Sequence, residues 1–81
     1  MTMQKIRSTV THVYPKYHYA RCVVEEEGEF YGESVTFNLS RWEGFTPPRK
    51  GQIALLGDVQ KYQNGWRADV ASPEVMSPES I

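Results

Sequence analysis

The sequence predicts an all-β fold, a small five-stranded antiparallel barrel, and three observations carry that prediction. Apolar and polar residues alternate at period two in several short runs, most cleanly where Val35, Phe37 and Leu39 interleave with Ser34, Thr36 and Asn38. Turn-forming residues punctuate those runs at Pro15, Gly28, Pro47-Pro48 and Asn64-Gly65. No stretch sustains a helical period. At 81 residues the chain is one domain, near the lower size limit for folding without disulfides or metals.

The first strand is expected over residues 5–13, where Ile6, Ser8, Val10 and His12 share one face and Arg7, Thr9, Thr11 and Val13 the other. Neither face is cleanly apolar, which calls for a bulge that resets the alternation. Tyr14-Pro15-Lys16 is a turn, because proline fixes its own φ and removes a ladder donor. The second strand follows over 17–25, with Tyr17, Tyr19 and Arg21 on one face and His18, Ala20, Cys22 and Val24 on the other. The second set is small and mostly apolar and belongs in a core. Two tyrosines and a guanidinium on a solvent face suit the stacking of planar bases, or else packing beneath a loop.

Residues 26–29 (Glu-Glu-Gly-Glu) form the next connection, with Gly28 available for a positive φ. The third strand, over 33–39, sends Val35, Phe37 and Leu39 inward. A long connection over 40–50 has room for one helical turn after Ser40 before Pro47 and Pro48 stop it. The fourth strand, 52–62, is expected to carry Ile53, Leu55 and Val59 on one face. Asn64-Gly65 signals a hairpin into the fifth strand, 66–71, with Trp66, Ala68 and Val70 inward and Arg67 and Asp69 outward. The barrel domain is thus drawn over 1–72. From Ser72 the chain repeats Ser-Pro-Glu with little to bury, so 73–81 is expected to be a disordered tail. Five short strands close most economically as an OB-fold-like barrel, which binds ligands on its middle strands.

Composition narrows the chemistry. The formal net charge is −1, which argues against strong phosphate-driven binding, yet the acids crowd into Glu25, Glu26, Glu27, Glu29 and Glu33 and leave the lysines and arginines elsewhere. Cys22 is the only cysteine, so no internal disulfide or cysteine-based metal site forms, and its position predicts a buried thiol. His12 and His18 alone make no ligand set, and no cofactor is expected. No nucleophile has a base beside it and no Gly-rich loop opens a helix, so the chain reads as a non-enzyme. It lacks an apolar run of the roughly 20 residues that span a membrane and a signal-peptide core, which predicts a cytoplasmic protein without membrane partners.

Over residues 9–73 the chain resembles the bacterial cold-shock domain family. That family's first ribonucleoprotein motif reads Lys-Gly-Phe-Gly-Phe-Ile, and Lys16-Tyr17-His18-Tyr19-Ala20 is similar with one residue dropped. Its second reads Val-Phe-Val-His-Phe-Ser, and Val35-Thr36-Phe37-Asn38-Leu39-Ser40 stands in its place. Gly51-Gln52-Ile53, Asn64-Gly65 and Ala68-Asp69-Val70 resemble later family features in order and spacing. The ligand face departs from the family: Thr36 and Asn38 replace an aromatic and a histidine, His18 replaces a glycine, and His12 stands where the first strand usually has tryptophan.

The resemblance implies an OB-fold barrel that binds single-stranded RNA or DNA, as an RNA chaperone or transcript-level regulator, monomeric or weakly dimeric. By position, Tyr17 and Tyr19 would stack bases; Arg21 would meet a phosphate or lie on a base, unless it is merely solvated. Asn38 would bond a base edge or stay a plain polar strand residue. Lys16, Arg41 and Lys61 would meet phosphates. Trp42 and Phe45, in the long connection, would add a stacking side chain or form the barrel's lid, and Trp66 reads as core. The alternative from another class is a protein-interaction module, a small regulatory or phage-encoded protein docking on a protein partner, since tyrosine and arginine also favour protein interfaces. The charge around Tyr17 and Tyr19 separates the two: a basic stripe for nucleic acid, a neutral or acidic rim for protein.

Overall fold

The structure, a computed structural model, describes residues 5–63 and 65–74. Its five strands are β1 (Ile6–Tyr14), β2 (Tyr19–Val24), β3 (Ser34–Asn38), β4 (Ile53–Tyr62) and β5 (Gly65–Pro73). They close into a barrel in the order β1-β2-β3-β5-β4. Four of the neighbouring pairs are antiparallel, whereas β3 and β5 run parallel, pairing Val35 with Trp66 and Thr36 with Arg67. The expected five-stranded, mainly antiparallel barrel is thus present, with one parallel pair in its ring. A closed ring with an odd number of strands cannot alternate direction at every step, so one pair must be parallel.

The untidy alternation of β1 has the physical cause its sequence implied. Val10 pairs with Cys22 and His12 with Arg21, so Thr11 is an extra residue with no partner of its own. Its hydroxyl donates to the Arg21 carbonyl at 3.2 Å. Beyond the bulge the faces exchange: Val13 packs against the core, while His12 and Tyr14 turn outward beside Arg21 and Tyr19.

Strand β2 begins two residues later than expected. Pro15–Tyr17 form a 3-10 turn, closed by His18 at φ 64° with its N–H donating to the Pro15 carbonyl at 3.1 Å. His18 is therefore exposed in the left-handed region and is not part of the inward set. Ala20, Cys22 and Val24 are inward as predicted and fully buried. They meet Val35 and Phe37 of β3, and Phe37 is the largest fully buried side chain.

The opposite wall is lined by Ala54 and Leu56 of β4 and by Ala68 and Ala71 of β5. Small residues here leave room for Phe37 in a narrow barrel. The expected single face of Ile53, Leu55 and Val59 in β4 is corrected: Ile53 and Leu55 are only half-buried, and Ala54 and Leu56 hold the core. Asp58, at φ 55°, breaks the extended run and brings Val59 back against the core. In β5 the core residue after Ala68 is Ala71, not Val70, which is half-buried.

Strand β5 also outlasts its predicted end, with Ser72 opposite Leu55 and Pro73 opposite Ala54. Arg7 Nη1 meets Glu74 Oε2 at 2.6 Å just beyond it. The rest of the expected tail, residues 75–81, lies outside the described residues. Tyr62 of β4 pairs with Gly65, which already belongs to β5, and Asn64 of the expected Asn64-Gly65 turn lies outside the described residues.

A 3-10 turn, Leu39–Arg41, opens the long connection, and Trp42 then bridges to Ala71. The Trp42 indole stacks on Phe37 at 5.6 Å between centroids, and its Nε1 donates to the Thr46 carbonyl at 2.8 Å. Trp42 is a lid over one end of the core.

Ser8 is the one buried polar side chain among the described residues, and its hydroxyl donates to the Ala54 carbonyl at 2.9 Å. Beside it, burial pushes the Cys22 thiol up from 9.0 to about 11, while a hydrogen bond with Ser8 works the other way. Such a thiol stays protonated and inert at neutral pH.

Candidate functional site

The registers of the five strands assemble two rows of side chains on the outer face of the barrel. The first runs across every strand: His12 on β1, Arg21 on β2, Thr36 on β3, Arg67 on β5 and Gln60 on β4. The second comprises Tyr14, Tyr19 and Asn38 on β1, β2 and β3. Directly paired residues present their side chains on the same face, about 5 Å apart. The face is therefore continuous, although its members are far apart in the chain.

Its aromatic part is a stack. His12 lies 5.8 Å from Tyr14 with the rings 7° from parallel, and Tyr14 lies 4.8 Å from Tyr19 at 29°. This column holds Tyr19 half-buried in a fixed orientation. Tyr17 stands at the edge of the same surface, 70% exposed on its 3-10 turn. The left-handed His18 carries the chain from that turn into β2, and it keeps Tyr17 beside Tyr19 even though Tyr17 is no longer a strand residue.

Two adjoining depressions mark this face. One, of about 380 Å3, is lined by Tyr17, Tyr19, Arg21, Asn38, Arg67 and the β3 segment at Thr36 and Phe37. The other, of about 460 Å3, continues past Arg21, Thr36 and Arg67 to Ser34, Tyr62 and Trp66. The Arg67 guanidinium lies over the Tyr62 ring, 4.5 Å from its centroid. No carboxylate lines either depression. The glutamates sit elsewhere, in the loop between β2 and β3, where Glu26, Glu27 and Glu29 border Ile6, Val24 and Phe30 at the end of β2 away from Tyr19.

Of the residues singled out in the sequence, Tyr17, Tyr19, Arg21 and Asn38 come together here. Asn38 arrives partly engaged: its Oδ1 accepts from the Ser40 backbone at 2.8 Å and from the Ser40 hydroxyl at 2.7 Å, leaving its amide N–H groups free to donate. Lys16 is exposed on the turn beside Tyr17. Arg41 lies 3.9 Å from Asp69 and lines neither depression. Lys61 sits opposite Trp66 with its ammonium 5.4 Å from the ring, and it too lines neither depression. Trp42 is committed to the lid, whereas Phe45 is fully exposed on the long connection. Trp66 packs edge-on against Phe30 at 4.8 Å, partly buried as expected of a core residue.

Several members of the face were not anticipated. His12 and Tyr14 reach it through the bulge, and Tyr62 through the hairpin. Arg67 reaches it through the parallel pairing with Thr36. The outward parity of Arg67 was legible; its neighbourhood with Arg21 was not.

No protein-family model, curated protein or solved structure matches the chain. Among the described residues, no group of three His, Cys, Asp or Glu side chains is placed to hold a metal ion, and no helix is long and apolar enough to cross a membrane.

Proposed function

We propose that this protein binds single-stranded RNA or DNA, stacking bases on Tyr17 and Tyr19 while Arg21 and Arg67 meet the backbone. One observation carries the reading: two adjoining depressions on the outer face combine exposed and stacked tyrosines with two arginines, and no carboxylate lines either. A flat ring exposed beside a fixed one accepts the π-face of any base, so sequence preference is loose. Guanidiniums supply both phosphate contacts and stacking surfaces. The overall charge of −1 keeps affinity modest and confines attraction to this face.

The same charge pattern favours nucleic acid over a protein partner, for which a neutral or acidic rim would be expected. On this reading the protein is cold-shock-like in its activity and works on transcripts in the cytoplasm as an RNA chaperone or regulator. Binding itself involves no chemical step.

The test is a titration with mixed-sequence single-stranded DNA and RNA at low and moderate salt, followed by tryptophan fluorescence, since Trp66 lines one depression. Saturable binding that weakens as salt rises supports the reading. Absence of binding at low salt overturns it.

A further inference from the structure

Resting on that reading, we propose that Arg21 and Arg67 act together as a clamp for a single phosphate, fixing where the nucleic-acid backbone crosses the barrel. They stand on either side of Thr36 in one ladder row, on β2 and β5. Adjacent strands lie about 5 Å apart, so their Cα atoms are separated by about 10 Å, a span over which two long side chains can converge on one anion. Both line the two depressions, and so does Thr36.

The two arginines differ from the others whose partners are seen. Arg7 is paired with Glu74 and Arg41 lies beside Asp69. Among the described residues, Arg21 and Arg67 have no carboxylate partner. Arg67 is nevertheless held, by its position over Tyr62, and a pre-oriented guanidinium loses less freedom on binding than a free one. Arg21 is half-buried, where a charge is screened less than at full exposure. Two such cations across one threonine repel each other, and a shared anion relieves that repulsion while accepting from both forks. The Ser34 hydroxyl, exposed on the same face of β3, adds a donor at the rim of the larger depression.

The clamp sets a path for the ligand. Bases stacked on Tyr17 and Tyr19 lie at one end, and the held phosphate lies over Thr36, one strand across and one ladder row on. The backbone therefore leaves β2 for β3 and passes between Arg21 and Arg67.

The test is a titration of the full chain with a ten-residue oligothymidylate over a range of salt, for wild type, Arg21→Gln, Arg67→Gln and the double variant. Each phosphate contact with a single strand contributes about 0.7 to the slope of log affinity against log salt. A shared phosphate predicts a slope reduced by up to about 0.7 in each single variant and by about the same in the double. Affinity falls about tenfold or more in each single variant and little further in the double. Arg67→Lys keeps most of the salt slope but loses affinity, because it keeps the charge and not the fork. Unchanged thermal unfolding confirms that the variants remain folded.

A 5′-phosphorylated oligonucleotide that binds no better than its 5′-hydroxyl form puts the held phosphate in the backbone; tighter binding that both glutamine variants abolish puts it at the chain end. Either is a clamp. Reductions that simply add in the double variant, or slopes that do not change, overturn the clamp while wild-type binding leaves the nucleic-acid reading standing. No wild-type binding at low salt removes both, and it is seen before any variant is made.

Discussion

Replacing Tyr17 by alanine separates stacking from stability, because Tyr17 is 70% exposed and has no ring partner among the described residues. Its truncation removes nothing that holds the barrel together. If a base stacks on it, the loss is about 1–3 kcal/mol, which raises Kd about 5- to 150-fold. Tyr19→Ala should weaken binding over the same range, but it also dismantles the stack with Tyr14 at 4.8 Å. Such an aromatic pair is worth about 0.5–1.5 kcal/mol, and in a domain of this size that lowers Tm by roughly 2–12 °C. Tyr17→Ala should leave Tm unchanged. Tyr19→Phe should preserve both quantities, since it keeps the ring. Fluorescence anisotropy of a labelled single-stranded ten-mer and differential scanning calorimetry read the two effects separately. Kd within twofold of wild type for both alanine variants would refute the stacking argument.

Phe37→Ala empties the centre of the core and should cost about 3–5 kcal/mol, read by urea denaturation, while Phe37→Leu should cost markedly less. Gly44→Ala would set a Cβ 2.7 Å from Trp42 Nε1, so the lid must shift; a loss of about 1–3 kcal/mol and a changed tryptophan spectrum are expected. Native Cys22 should resist a thiol reagent at pH 8 and react fully once unfolded. Its titration also predicts a pH dependence: the unfolded thiol ionises near 9.0 while the folded one keeps its proton to about 11. The unfolded state then binds fewer protons, so this contribution is intact below pH 9 and is lost as pH rises toward 11, by about 3 kcal/mol at most. Urea denaturation across that window should show the extra loss in wild type and not in Cys22→Ala.

The strands were legible where burial is one-sided. Val35 and Phe37 alternate with polar residues because β3 has one face in the core and one in water, and period two reports that difference directly. In β4 the signal fails because both parities are apolar: Ile53 and Leu55 compete with Ala54 and Leu56, and hydropathy favours the larger pair while the narrow barrel accepts the alanine. The bulge at Thr11 could be inferred from the mixed faces of β1, but its position could not, and that position decides that His12 and Tyr14 join the site. Tyr17, Tyr19 and Arg21 were visible as neighbours because they are close in sequence. Arg67 was not, because the pairing that brings it to Thr36 links distant segments and leaves no local trace.

That parallel pairing has a consequence for how the molecule opens. β1, β2 and β3 follow one another in antiparallel succession, and β4 and β5 form a hairpin; each group can assemble from nearby chain. The two ladder pairs between β3 and β5 join them across a long loop, and loop-closure entropy opposes that joint. It is the shortest run of pairing in the ring and the natural place for it to breathe. Any strand of nucleic acid held by both Arg21 and Arg67 lies across this joint and draws the two groups together. Ligand release and barrel opening then become linked events, and slower amide exchange at Arg67 in the bound protein would register the latch.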